Sequence, residues 1–162
     1  MTAAADILDP RTTLARPDLA EQALEGVVRA AAYRATRAMR CTAPVADIHG
    51  ETGSRIDQLV FGEVFDILDA DGDRLWGRAR RDGVVGWVKA SNLTEGAPLA
   101  RARVAAVDAA LPLNALVLEG EDPSFQPVGA FETDPVAVAE RLLDVPHVPG
   151  GRSSRGPHCA GL

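Results

Sequence analysis

The sequence predicts a mainly β chain: a small antiparallel barrel with a helix ahead of it and a second helix near the carboxyl end. Three observations carry this. Between Pro44 and Leu93 short apolar runs alternate with turn residues at a spacing suited to hairpins and too tight for helices. Asp71-Gly72-Asp73 and Asp82-Gly83 separate consecutive runs, and glycine accepts the positive φ that a tight hairpin turn demands. Helical periodicity is confined to two flanking stretches, one after Asp18 and one after Asp134.

Composition bounds what such a chain can do. With 162 residues, 46% apolar and 25% charged, it has the make-up of an ordinary globular protein of one domain or two small ones. A net charge of −6 and a pI near 5.0 exclude a general nucleic-acid or anionic-membrane surface, which would need a basic face to neutralise phosphates. Arginines cluster at Arg29, Arg34, Arg37 and Arg40 and again at Arg74, Arg78, Arg80 and Arg81, and both clusters read as solvated faces. The opening MTAAADILDP lacks a basic region, and Asp6 and Asp9 interrupt its apolar residues, so no secretory signal is expected. No run reaches the roughly 18 apolar residues of a membrane span. Cys41 and Cys159 match neither a disulfide framework nor a zinc spacing, and two free thiols fit a reducing cytoplasm.

Taken in order, the elements are these. Asp18 followed by Glu21 has the form of a helix start, and Leu19, Ala23, Leu24, Val27, Val28 and Ala31 recur at helical spacing, which predicts an amphipathic helix from Asp18 to Ala32. Pro44 cannot sit inside a helix, so extended structure begins near it. Five runs follow: Val45 to Ile48, Gln58 to Phe61, Val64 to Leu68, Leu75 to Arg80 and Val84 to Val88. They close most economically as a barrel, which removes exposed edges. From residue 96 to 133, Pro98, Pro112, Pro123 and Pro127 break up the chain around two strand-like runs, Val104 to Val107 and Leu116 to Leu118. This stretch is either an abbreviated second barrel or a linker packed on the first. After it, VAVAERLLD puts Val136, Ala139 and Leu143 on one side of a helix, with Asp134 as N-cap, Pro135 at N1 and Pro146 as terminator.

The segment WGRARRDGVVGWVKASNL, Trp76 to Leu93, resembles the last hairpin and closing turn of a bacterial SH3-like (SH3b) domain, and LVFGEVFDIL before it resembles that domain's central strands. The resemblance implies an SH3-like barrel over 43–95, preceded by an extension and helix over 1–42. It also implies that Trp76 and Trp87 pack the barrel or line its groove, with packing the larger role because such rings bury large areas.

Residues 134–162, DPVAVAERLLDVPHVPGGRSSRGPHCAGL, resemble the start of the papain-like α+β lobe of NlpC-type cysteine peptidases, which cut peptidoglycan stem peptides. The family pattern is a helix, Pro-Tyr-x-Trp-Gly-Gly, a polar loop, then Gly-x-Asp-Cys-Ser-Gly. The match places Cys159 on the nucleophile and Gly150, Gly151, Gly156 and Gly161 on the pattern's glycines. His147 stands for the tyrosine, Pro149 for the tryptophan, and His158 and Ala160 for the carboxylate and hydroxyl that help hold the substrate's free amine. A histidine and an alanine offer no fixed negative charge and no second acceptor there. In the family the histidine base and its orienting partner lie downstream of the cysteine. The chain therefore reads as truncated just after its nucleophile, with residues 1–162 expected to be inactive alone.

Two function classes follow. The first is the amino-terminal part of a γ-D-glutamyl-diamino acid peptidase that recycles murein peptides in the cytoplasm, with the SH3-like domain shaping substrate access. The second is a non-catalytic module binding peptide or cell wall. Both take peptidoglycan stem peptides as partner and need no cofactor. His147, His158 and Cys159 are metal-ligand types, but two adjacent ligands and one eleven residues away do not form a structural zinc spacing, so no metal is expected. His158 is awkwardly placed as the base for its neighbour, because adjacent side chains diverge. Residues 150–162, rich in glycine and without apolar periodicity, are expected to be mobile.

Overall fold

The computed structural model describes residues 8–159 and is mainly β, as the sequence predicts. Two short parallel strands come first, β1 (Ala20–Glu21) and β2 (Tyr33–Arg34). The main sheet then uses β3 (Arg37–Cys41), β4 (Val45–His49), β5 (Arg55–Val60), β6 (Val64–Asp71), β7 (Arg74–Ala79), β8 (Val85–Lys89) and β9 (Leu93–Glu95). Its order is β5-β4-β8-β7-β6-β3-β9, antiparallel throughout. The sheet thus begins at Arg37, ahead of Pro44, and β3 fills the place between β6 and β9. The expected runs after Pro44 all become strands.

Period-two alternation gives the β7–β8 hairpin two apolar faces. Leu75 and Val88 join Ile48, Leu59, Phe65 and Ile67 in the barrel interior. Their neighbours Trp76 and Trp87 point the other way and pack with Leu14, Leu19, Leu68 and Val85. The two indoles lie 6.5 Å apart at 41°. Both are covered, with 2% and 8% of their surface exposed, so packing is the role they fill.

Their cover comes from a segment expected to be helical. The helix from Asp18 to Ala32 is not formed; one 3-10 turn, Gln22–Leu24, is its only helical part. Gly26 at φ +82° interrupts the stretch, and β-branched Val27 and Val28 follow it. The greater cause is tertiary. An extended chain lays Leu14 and Leu19 together on the tryptophans, with the Arg11 carbonyl accepting from the Val85 N–H at 2.8 Å. Arg16 stacks over Trp76 at 4.2 Å and pairs with Asp69, and Glu21 takes a two-pronged bond from Arg78 at 2.5 and 2.9 Å.

Residues 96–133 hold a separate sheet of order β11-β10-β12, made of β10 (Ala102–Val104), β11 (Leu116–Val117) and β12 (Phe125–Pro127). Buried Arg103 braces it, donating to Ala130 O at 3.0 and 2.7 Å, Asn114 Oδ1 at 3.2 Å and Gln126 Oε1 at 3.0 Å. The Leu116 N–H donates to Phe61 O at 2.8 Å, which ties this sheet to the turn after β5. Helix α1 (Pro135–Glu140) begins as expected, with Asp134 Oδ1 accepting from Val136 N at 2.9 Å and Ala137 N at 3.1 Å. It stops short of Leu143. No helix among the described residues is long and apolar enough to cross a membrane.

Both sides of the hairpin should therefore matter to stability. Trp76→Ala, Trp87→Ala and Leu14→Ala are each expected to lower the cooperative unfolding midpoint, at a cost of about 3–5 kcal/mol for the tryptophans and 2–5 for the leucine. Denaturant titration checks this; a Leu14→Ala midpoint equal to the parent's would mean the amino-terminal segment is not part of the folded unit.

Candidate functional site

The chain after α1 folds into a closed loop whose ends are joined by backbone bonds. Val148 N donates to Pro157 O at 3.3 Å, His158 N to Gly151 O at 2.7 Å and Gly156 N to Ser153 O at 3.1 Å. Two glycines permit this closure. A Cβ at Gly151 would fall 1.9 Å from the Gly156 carbonyl oxygen, and one at Gly156 would fall 2.4 Å from Val148 Cγ2.

The loop is docked, which corrects the expectation of a mobile terminus for the described part of 150–162. Gly151, Ser153, Ser154 and Gly156 are buried. Arg55 Nε donates to Pro149 O at 2.9 Å, Leu113 N to Ser154 Oγ at 3.1 Å, and Arg155 to Ala110 O at 2.6 Å. At the centre Arg152, its side chain 8% exposed, enters a polar recess of the barrel. Its guanidinium pairs with Glu63, with Asp82 Oδ2 at 2.9 Å and with Gln58 O at 3.0 Å, and lies 3.9 Å from Asp57. Its N–H donates to Gln58 Oε1 at 2.9 Å. Apolar periodicity was the wrong measure for this loop, because polar bonds and close backbone contact hold it instead.

Charge in the recess is uneven. Glu63, Asp57 and Asp82 face Arg152, with Arg81 bonded to Glu63 at 2.9 Å. Burial pushes the Asp57 carboxyl up to about 6, against the bond from its neighbour Gln58, and the negative charge of Asp82 adds to the rise. One carboxyl thus holds a proton to a higher pH than it would in water, which offsets part of the surplus negative charge.

The loop closure brings His147 beside His158, and the side chains of His158 and Cys159, expected to diverge, meet instead. The His147 and His158 rings sit 5.2 Å apart, and Cys159 Sγ lies 3.7 and 3.6 Å from the two ring nitrogens of His158. A sulfur nearly equidistant from both nitrogens lies along neither lone pair. Cys159 is exposed. Ala160 lies outside the described residues. Trp76 and Trp87 belong to the covered outer core and are not part of this cluster. Among the described residues no group of three or more His, Cys, Asp and Glu side chains is arranged to hold a metal ion. Cys41 is a different kind of thiol: burial pushes it up to about 11, and it donates to Ala43 O at 3.4 Å inside the barrel. The sequence reading missed Arg152 and its acidic partners. The available signal was Glu63, an acid inside the apolar run LVFGEVFDIL.

A family model for the bacterial dipeptidyl-peptidase Sh3 domain matches residues 50–93, from the turn before β5 to the start of β9. No curated protein gives a significant match to the chain. Together with the strand pattern, the match makes the barrel similar to the SH3-like modules associated with bacterial dipeptidyl-peptidases. It does not extend to the loop bearing Cys159.

Two measurements test this site. Asp57 titrates higher in the folded chain than at its ordinary 3.8, so the folded state holds the extra proton between those values and stability falls as pH rises from about 4 through about 6. Asp57→Asn should therefore gain roughly 1–2 kcal/mol over the parent at about pH 7.5 and show little gain at about pH 3.5; an equal gain at both would refute the titration. Iodoacetamide should alkylate Cys159 in the native chain and Cys41 only after unfolding, as read by mass spectrometry of tryptic peptides.

Proposed function

We propose that this chain is the barrel and nucleophile-bearing part of an NlpC-type cysteine peptidase. It would hydrolyse the bond between D-glutamate and a diamino acid in cell-wall peptides, releasing an amino-terminal dipeptide during murein peptide recycling in the cytoplasm. The observation that carries the reading is an exposed cysteine, Cys159, at the end of a glycine-rich loop docked on a barrel similar to the SH3-like domains of dipeptidyl-peptidases.

The chemistry assigns each group a task. The Cys159 thiolate attacks the γ-D-glutamyl carbonyl carbon, the diamino acid leaves as its protonated amine, and water cleaves the resulting thioester to free the dipeptide and restore the thiol. The Cys159 sulfur lies off the axis of both His158 ring nitrogens. The base in this reading is a histidine of the downstream lobe. In the family pattern His147, His158 and Ala160 fall on positions expected to contact the stem peptide, and the barrel would limit access to peptides with a free amino end.

The test joins residues 1–162 to the histidine-bearing lobe of an NlpC-type peptidase and assays L-alanyl-γ-D-glutamyl-diaminopimelate. Slow hydrolysis abolished by Cys159→Ala is expected. Its absence, with the stem peptide still bound, would favour the binding module instead. Replacing His158→Asp and Ala160→Ser together should raise kcat/KM for free-amine peptides more than for N-acetylated ones, since the gain lies in holding the ammonium group. An equal gain on both would assign these positions to the nucleophile.

A further inference from the structure

We propose that Arg152 is a positioning residue, through which the barrel sets the place and direction of the loop carrying His147, His158 and Cys159. Its use in catalysis rests on the peptidase reading, whereas the geometry does not. Four bonds converge on this one residue from three parts of the barrel: Gln58 on β5, Glu63 in the turn before β6 and Asp82 in the turn before β8. A planar guanidinium with donors in a fixed fork satisfies these partners in one orientation only. Arg152 Nη1 donates to both the Asp82 carboxylate and the Gln58 carbonyl while Nη2 reaches Glu63, and a compact ammonium has no second nitrogen with which to span from that pair to Glu63.

Two further features argue for placement as the purpose of this group. Sinking a guanidinium and carboxylates into a recess costs desolvation that their attraction only partly offsets, so an apolar plug of the same size would anchor the loop at least as firmly. What the charged set adds is a unique arrangement. The coupling to the site is also short: the carbonyl of Gly151, next to Arg152, accepts the His158 N–H at 2.7 Å, and Gly151 is pressed against Gly156. A shift of Arg152 therefore reaches His158 and Cys159 through one backbone bond and one tight contact.

The experiment compares Arg152→Ala and Arg152→Lys with the parent chain by hydrogen exchange and thermal unfolding. Arg152→Ala should raise exchange at Gly151, Gly156 and His158 by about tenfold or more while the Phe65 and Val88 amides stay protected. Arg152→Lys should bring the midpoint back to within about 2 °C of the parent but leave loop exchange raised, because charge is restored and the fork is not. Unchanged loop exchange in Arg152→Ala would overturn the proposal. So would a lysine variant that restores both midpoint and protection, since charge alone would then be enough. If Arg152→Ala fails to fold, the lysine comparison decides. None of these measurements depends on peptide hydrolysis, so a failed peptidase assay and a failed positioning role are separate outcomes.

Discussion

The β7–β8 hairpin is apolar on both faces, and most of the architecture follows from covering it twice. Strand alternation sends Leu75 and Val88 inward and Trp76 and Trp87 outward. The inner core of the sheet covers only the first pair. Two indoles left in water would form a large apolar patch, so the chain must supply a second cover, and the extended segment with Leu14 and Leu19 does so. Its polar residues then find partners on the barrel: Arg16 with Asp69 and the indole face, Glu21 with Arg78. A helix in the same place would have turned one stripe to the tryptophans and lost this sequence of pairings.

The carboxyl-terminal loop is attached by a different balance of forces. Where the amino-terminal segment combines apolar cover with ion pairs at Arg16 and Glu21, the loop is held by a buried guanidinium, backbone bonds and glycines that bring chain close to chain. The contrast has a physical consequence. Apolar contact tolerates small slips because it has little directionality, whereas a fork bonded to Glu63, Asp82 and Gln58 does not. In the proposed peptidase the loop that needs exact placement rests on directional bonds, and the covering segment adds leucines to its two ion pairs.

How much of this was legible in the sequence depended on whether the determining contacts were local. Asp71-Gly72-Asp73 and Asp82-Gly83 specify their turns through their own backbone preferences, and the strands on either side were readable from them. Asp134-Pro135 starts α1 by an equally local rule. The stretch after Asp18 misled because its helical spacing was real but weaker than the pull of Trp76 and Trp87, which lie far along the chain. β3 was missed for the same reason, since its pairing with β6 and β9 is written in those strands rather than in Arg37–Cys41. Of the site, Cys159 and the two histidines stood out by residue type and by the glycines around them. Arg152 did not, because in a sequence a buried arginine looks like any of the solvated ones.

The same long-range logic separates the two cysteines. Cys41 and Cys159 are chemically identical in the sequence, and spacing alone marked neither as structural. Cys41 falls on β3 where the strand turns into the core, and burial suppresses its thiolate far below what neutral pH would otherwise allow. Cys159 falls just beyond the loop closure, exposed, with the His158 ring against it and the His147 ring one contact further out. The proposed nucleophile must meet both solvent and substrate, and of the two placements only the second is open to them. The fold reaches that placement because the last fixed point before Cys159, the His158 N–H bonded to Gly151, is itself tied through Arg152 to the least exposed acid of the barrel, Glu63.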